Sequence, residues 1–273
     1  MILSNQTGFN VAANGIRQHV LRFGGLGQPL VIVPGITSPA ITWAFVAEAL
    51  ARDFETYVVD VRGRGLSSTG PDLDYGVDAM ADDLIGLLDA LKLNDAIVLG
   101  HSMGARIAAR AASGQPAHMA RLILVDPPVS GPGRRAYPSK LPWYTDSIRL
   151  AMAGIDADGM RAFCPTWTDE QLALRAEWLH TCYEPAIVKA FNDFHDTSFQ
   201  DDVPALKLPT ALMVAGKGGV IQPEDIAELS SLKSDLQIVH VPNAGHMIPW
   251  DDFAGFLGAL NSILGTSLRE ISQ

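Results

Sequence analysis

Apolar positions along this chain fall into two rhythms. Residues 7–11 and 16–23 alternate, and Ala13-Asn14-Gly15 between them is a turn signal for a β-hairpin. Short continuous apolar runs follow: Leu30-Val31-Ile32-Val33, Thr56-Tyr57-Val58-Val59, Ala96-Ile97-Val98-Leu99, Leu122-Ile123-Leu124-Val125, Thr210-Ala211-Leu212-Met213-Val214 and Leu236-Gln237-Ile238-Val239. Such runs mark strands buried on both faces of a parallel sheet. Between them lie segments of helical period. From Asp78 through Leu91, the apolar Met80, Leu84, Leu87, Leu88 and Leu91 share one helix face. Strands alternating with helices predict a doubly wound α/β sheet.

The rhythm breaks between about residues 130 and 205. No buried strand is legible there. The segment opens loop-like with Gly131-Pro132-Gly133-Arg134-Arg135 and then carries helical patterns and ten aromatics: Tyr137, Trp143, Tyr144, Phe163, Trp167, Trp178, Tyr183, Phe191, Phe194 and Phe199. The pattern predicts a helical cap, residues 130–205, inserted into a core made of residues 1–129 and 206–273. No internal repeat or low-complexity segment is visible.

Composition narrows the function classes. With 273 residues, 48% hydrophobic and 18% charged, the chain is globular and long enough for a sizeable core. Its net charge is -10, with the acidic residues dispersed and no basic run, so no nucleic-acid partner is expected. The start, Met1-Ile2-Leu3-Ser4-Asn5-Gln6, lacks a charged region followed by an apolar stretch. No signal peptide, membrane span or membrane partner is expected, and the chain reads as cytoplasmic. Cys164 and Cys182 lack any metal-like spacing and are expected to be reduced.

The chemistry concentrates at Gly100-His101-Ser102-Met103-Gly104. An apolar strand precedes this pentapeptide and the helical run Ala105 to Arg110 follows. Strand, G-x-S-x-G, helix is the context of a nucleophile elbow, in which a sharp turn lifts the serine hydroxyl above the sheet. A serine hydroxyl is a poor nucleophile without a base, and histidine is the usual base near neutral pH. Of seven histidines, His246 lies in the loop Asn243 to Trp250, after the last strand and before the last helix. That loop falls on the same sheet edge as the elbow. His101 is expected to pack beside the elbow. His19, His118 and His240 fall in or beside strands, while His180 and His195 fall in the cap, where a substrate contact is possible. No histidine pair has the spacing of a metal site.

With Gly100–Gly104, Asp60-Val61-Arg62-Gly63-Arg64-Gly65 and Gly245-His246, the chain resembles serine hydrolases of the α/β-hydrolase superfamily over nearly its whole length. The resemblance implies an oxyanion hole built from the backbone N–H groups of Ile36 and Met103. Many relatives have His-Gly where this chain has Pro34-Gly35; a backbone donor tolerates that change. Asp60 and Arg62 to Gly65 are expected to be structural. Serine at the elbow sets the chain apart from the dehalogenases and epoxide hydrolases of this superfamily, which use aspartate.

The acid of the triad departs from the family pattern. Relatives place it a few residues beyond the strand ending here at Val214, where this chain has Gly219. A glycine cannot orient an imidazole. Asp126, at the end of the preceding strand, is the favoured acid, with Glu224 and Asp225 as alternatives that also read as first-turn residues of a helix after Pro223. The combination most resembles metal-independent hydrolases that cleave a C–N bond of a small formamide in bacterial nicotinate degradation. A carboxylesterase, an enol-lactone hydrolase and a non-catalytic ligand receptor are the alternatives. No cofactor is expected, and the implied partner is a small substrate carrying a carboxylate. Its counter-charge would come from the cap cations Arg134, Arg135, Lys140, Arg149, Arg161, Arg175 and Lys189, or its hydrogen bonds from Thr37 and Ser38.

Overall fold

The computed structural model describes residues 6–114 and 117–269. The expectation of no signal peptide rests mainly on Met1 to Asn5, which lie outside the described residues. Among the described residues, eight strands form one sheet: β1 (Thr7–Ala13), β2 (Ile16–Phe23), β3 (Gln28–Val33), β4 (Phe54–Val59), β5 (Ala96–His101), β6 (Met119–Val125), β7 (Thr210–Ala215) and β8 (Gln237–Val241). Their spatial order is β1-β2-β4-β3-β5-β6-β7-β8. β1 and β2 form the expected hairpin, turning at Asn14 and Gly15, which both take positive φ as a tight primed turn requires. β2 runs antiparallel to β4, and the pairings from β4 through β8 are parallel.

The central strands are buried along nearly their whole length, as continuous apolar runs require. β8 differs. It is one of the sheet's two edges, opposite β1, and most of its residues are exposed or half-exposed. Helices cover the sheet: α1 (Ala44–Leu50), α2 (Val77–Leu91) and α3 (Met103–Ser113). Between β6 and β7 the chain leaves the sheet and forms α4 (Leu141–Met152), α5 (Ala157–Met160), α6 (Asp169–Trp178) and α7 (Glu184–Asp196). It then returns through α8 (Pro223–Leu232), α9 (Ile248–Asp251) and α10 (Phe253–Leu264). Among the described residues, no strand interrupts the inserted segment, and no helix is long and apolar enough to cross a membrane.

Strand order dictates where a site can form. From β3 the chain moves outward to β4 on one side, then returns to place β5 on the other. A crevice opens above the carboxyl ends of strands at such a reversal. Val33 pairs with Gly100, so the loop after β3 and the turn after β5 lie side by side.

Buried contacts tie the inserted helices to this edge. Arg106, on α3, donates from Nη1 to the carbonyls of Pro128, Ser130 and Phe194. From Nη2 it donates to the carbonyl and hydroxyl of Thr197, at 2.6 and 2.7 Å. Burial lowers its pKa to about 10, and it lies over the Phe194 ring. Trp167 of the insertion stacks on Trp250 of α9, ring centroids 5.1 Å apart.

Candidate active site

Ser102 has φ 53° and ψ -118°, a left-handed conformation rare outside glycine. Holding it there costs about 1–3 kcal/mol, which the surrounding packing must over-determine. The two glycines of the motif make this possible by absence. A Cβ on Gly100 would lie 2.3 Å from the Gly104 carbonyl oxygen. One on Gly104 would lie 1.9 Å from the carbonyl oxygen of Val33. Helix α3 is thereby seated directly against β3 and β5, with Ser102 at the apex.

Ser102 Oγ donates to His246 Nε2 at 3.0 Å, and His246 Nδ1 donates to Asp126 Oδ2 at 2.7 Å. Asp126 is fully buried, and its Oδ1 accepts from the amide of Ala215 at 3.3 Å. The three residues named from sequence thus meet in one hydrogen-bonded line. Asp225 is elsewhere: it caps α8 through the Gln222 amide and pairs with Arg135. Glu224 is exposed on the same turn. Gly219 has φ 69°, and a Cβ there would meet only Gln222 Nε2 within 4 Å. At Gly218, by contrast, a Cβ would press to 3.3 Å from Asp126 Oδ2 and 3.1 Å from the His246 amide. The glycine run after β7 leaves room for the carboxylate arriving from β6.

His101 lies wholly within the protein. Its Nε2 donates to the carbonyl of His246 at 2.9 Å, so the elbow holds the backbone of its own base. Burial, and then the neighbouring His246, push its pKa down to about 3. Arg64 is also buried, its pKa lowered to about 10 by desolvation, and donates from Nε to the carbonyl of Ile36 at 3.0 Å. Asp60 accepts from the amides of Ala40 and Leu66 and from His19. A Cβ on Gly65 would fall 2.1 Å from Asp60 Oδ1. The Asp60 to Gly65 loop is scaffolding for the segment carrying Ile36, as expected. Among the described residues, no backbone carbonyl accepts from the amides of Ile36 or Met103.

One polar contact at the site was not legible in the sequence. Tyr137, just before α4, places its hydroxyl 3.2 Å from His246 Nε2 and accepts from the Tyr144 hydroxyl at 3.4 Å. Desolvation raises its pKa well above the ordinary value, so it meets the ring as a neutral phenol. A cavity of about 430 Å³ opens over Ser102, walled by Ile36 and His246 of the core and by Tyr137, Trp143 and Trp167 of the insertion. His180 and His195 lie outside it, bonded to carbonyls of their own helical turns. Cys164 and Cys182 are buried and free. Among the described residues, no group of three or more His, Cys, Asp or Glu is arranged to hold a metal ion.

The α/β hydrolase fold family matches residues 28–253. The chain is 66% identical over 257 residues to the N-formylmaleamate deformylase of Pseudomonas putida, covering 94% of this chain and 96% of that protein. A solved N-formylmaleamic acid deformylase from another Pseudomonas putida strain, a serine-to-alanine variant, superposes with a TM-score of 0.90 at 58% identity, covering 93% of this chain and 100% of that one. The 2-(acetamidomethylene)succinate hydrolase of Mesorhizobium japonicum is 27% identical, over 84% of each chain. A serine at a strained turn, hydrogen-bonded to a half-buried histidine that in turn meets a buried aspartate, agrees with the match: the chain belongs to the α/β hydrolase fold family.

Proposed function

We propose that this chain is a serine hydrolase that cleaves N-formylmaleamate to maleamate and formate, with residues 1–129 and 206–273 as its core and 130–205 as its cap. The observation that carries the reading is the 66% identity, over 94% of the chain, to a deformylase of that substrate. The line Ser102–His246–Asp126 supports it chemically.

Ser102 Oγ attacks the formyl carbon while His246 Nε2 takes its proton. Asp126 holds the ring with Nδ1–H inward and stabilises the imidazolium that forms. The amides of Ile36 and Met103 receive the charge on the formyl oxygen. The C–N bond then breaks, and His246 returns the proton to the departing nitrogen, which becomes the amide of maleamate. A second acyl group on that nitrogen makes it a better leaving group than a simple amine. Water, deprotonated by His246, attacks the formyl-serine and releases formate. Substrate chemistry therefore asks nothing of the site beyond a nucleophile, a base and an oxyanion cradle.

The test is formate release from N-formylmaleamate by the purified chain, followed with a coupled formate dehydrogenase. Ser102→Ala should lower kcat by about 10⁴-fold or more, as for removal of a triad nucleophile. A variant keeping a tenth of the activity would overturn the role of Ser102. Hydrolysis of p-nitrophenyl esters without formate release would return the chain to the esterase reading, and no hydrolysis of either to the receptor.

A further inference from the structure

The seven cations of the cap have different surroundings. Arg134 pairs with Glu228, Arg135 with Asp225, Arg149 with Glu184, Arg161 with Asp169 and Lys189 with Asp193. Lys140 is exposed. Arg175, on α6, is 3% exposed and lines the cavity that holds Ser102 and His246. Its guanidinium lies between Trp143 and Trp167, 5.5 and 5.6 Å from their ring centroids. Nη1 and Nη2 donate to the carbonyl and hydroxyl of Thr37, at 3.2 and 3.3 Å. Its buried Nε finds no acceptor, and among the described residues its hydrogen-bond partners include no carboxylate.

An arginine carries five N–H donors and a permanent charge. Burying that charge without a counter-ion is strongly unfavourable. Here two hydrogen bonds go to neutral oxygens and the faces go to aromatic rings, which orient the plane without neutralising it. The cavity's own carboxylate, Asp251, accepts instead from the hydroxyl of Thr166 at 3.1 Å, and burial raises its pKa. An anion small enough to share the cavity with the reacting group would supply the counter-charge and accept from Nε.

We propose that Arg175 is the carboxylate-recognition residue of this cavity, selecting small acyl amides that carry a carboxylate at the end remote from Ser102. The inference rests on the deformylase reading. Thr37, two residues beyond Gly35, links the guanidinium to the loop carrying Ile36, so substrate charge and oxyanion are read on adjoining parts of one loop. The planar fork of arginine suits a carboxylate better than a lysine ammonium does.

The experiment compares N-formylmaleamate with its neutral methyl ester in the wild type, Arg175→Met and Arg175→Lys, with thermal melts to establish folding. The wild type should favour the acid by about 10²-fold in kcat/KM, the scale of a buried charge left unpaired. That preference should collapse to within about threefold in Arg175→Met and be intermediate in Arg175→Lys. A merely structural arginine would lower both rates together and leave the ratio intact, and that result overturns the proposal. So does equal handling of acid and ester by the wild type. If Arg175→Met does not fold, an unchanged ratio in Arg175→Lys overturns it and a reduced one supports it. Should the wild type release formate from neither compound, the deformylase reading has failed, and calorimetric titration with maleamate decides the arginine's role separately. Binding to the wild type that weakens tenfold or more in the variant supports carboxylate recognition; no binding, or equal binding, refutes it.

Discussion

Asp126 occupies a backbone position with φ 45°, left-handed like Ser102, at the end of the strand next to the elbow. Asp126→Asn keeps the shape but offers the ring an amide that can donate, which favours the wrong tautomer of His246. Formate release should fall by about 10³-fold or more. Glu224→Gln and Asp225→Asn should stay within about threefold, because neither carboxylate bonds to Ser102 or His246 and the contacts of Asp225 are a helix cap and an ion pair with Arg135. The reverse ranking in steady-state kinetics would move the acid back to the loop after β7. Tyr137→Phe removes one hydrogen bond to His246 Nε2 and should lower kcat/KM about tenfold with the melting midpoint kept. An unchanged rate would make the hydroxyl irrelevant to the base. Ser102 and His246 were legible because each sits in a short backbone-determined motif, and Asp126 because Gly219 left the usual position without a carboxylate. Tyr137 and Arg175 were only two of many cap aromatics and cations. They reach the site through tertiary packing, for which sequence spacing carries no rule.

Among elements, the elbow is the least tolerant of added volume. Gly104→Ala drives a methyl into the carbonyl of Val33, with backbone on both sides and nothing able to rotate away. It should destabilise the fold by at least about 3 kcal/mol in urea titration, the upper end for overpacking. Gly114, at the other end of α3, has φ -74° and only an ordinary contact, 3.4 Å, for the same methyl. Gly114→Ala should change stability by less than about 0.5 kcal/mol. Similar losses for both would mean that the elbow is not held by backbone contact. The strands lay within a few residues of where their apolar runs fell, because burial on two faces leaves an uninterrupted signature. β8 shows the limit. Leu236 to Val239 reads as apolar enough for the centre of a sheet, yet the strand is one of its edges, and composition does not say which neighbour is missing.

At the scale of the molecule, stability should depend on pH through the buried His101. Its folded pKa is near 3 against an ordinary 6.5. The unfolded chain therefore takes up a proton that the folded chain refuses. This contribution is complete above about pH 6.5 and declines as the pH falls toward 3, by up to about 1.4 kcal/mol per unit. Urea titrations at pH 7.5 and 5.5 should show a smaller stability loss in His101→Gln than in the wild type; equal losses would place the proton uptake elsewhere. Among the described residues the chain between β6 and β7 contains no strand, and how its helices pack against the sheet was not legible in the sequence. Arg106 shows what that arrangement entails. Its guanidinium belongs to the elbow helix, while several of the carbonyls it holds belong to the insertion. A cap transplanted from another hydrolase would have to bring oxygens to those same points, or leave a buried cation bare beside the nucleophile. The segment between β6 and β7 is therefore exchangeable only as far as one arginine permits, and such an exchange should include position 106 in the exchanged part.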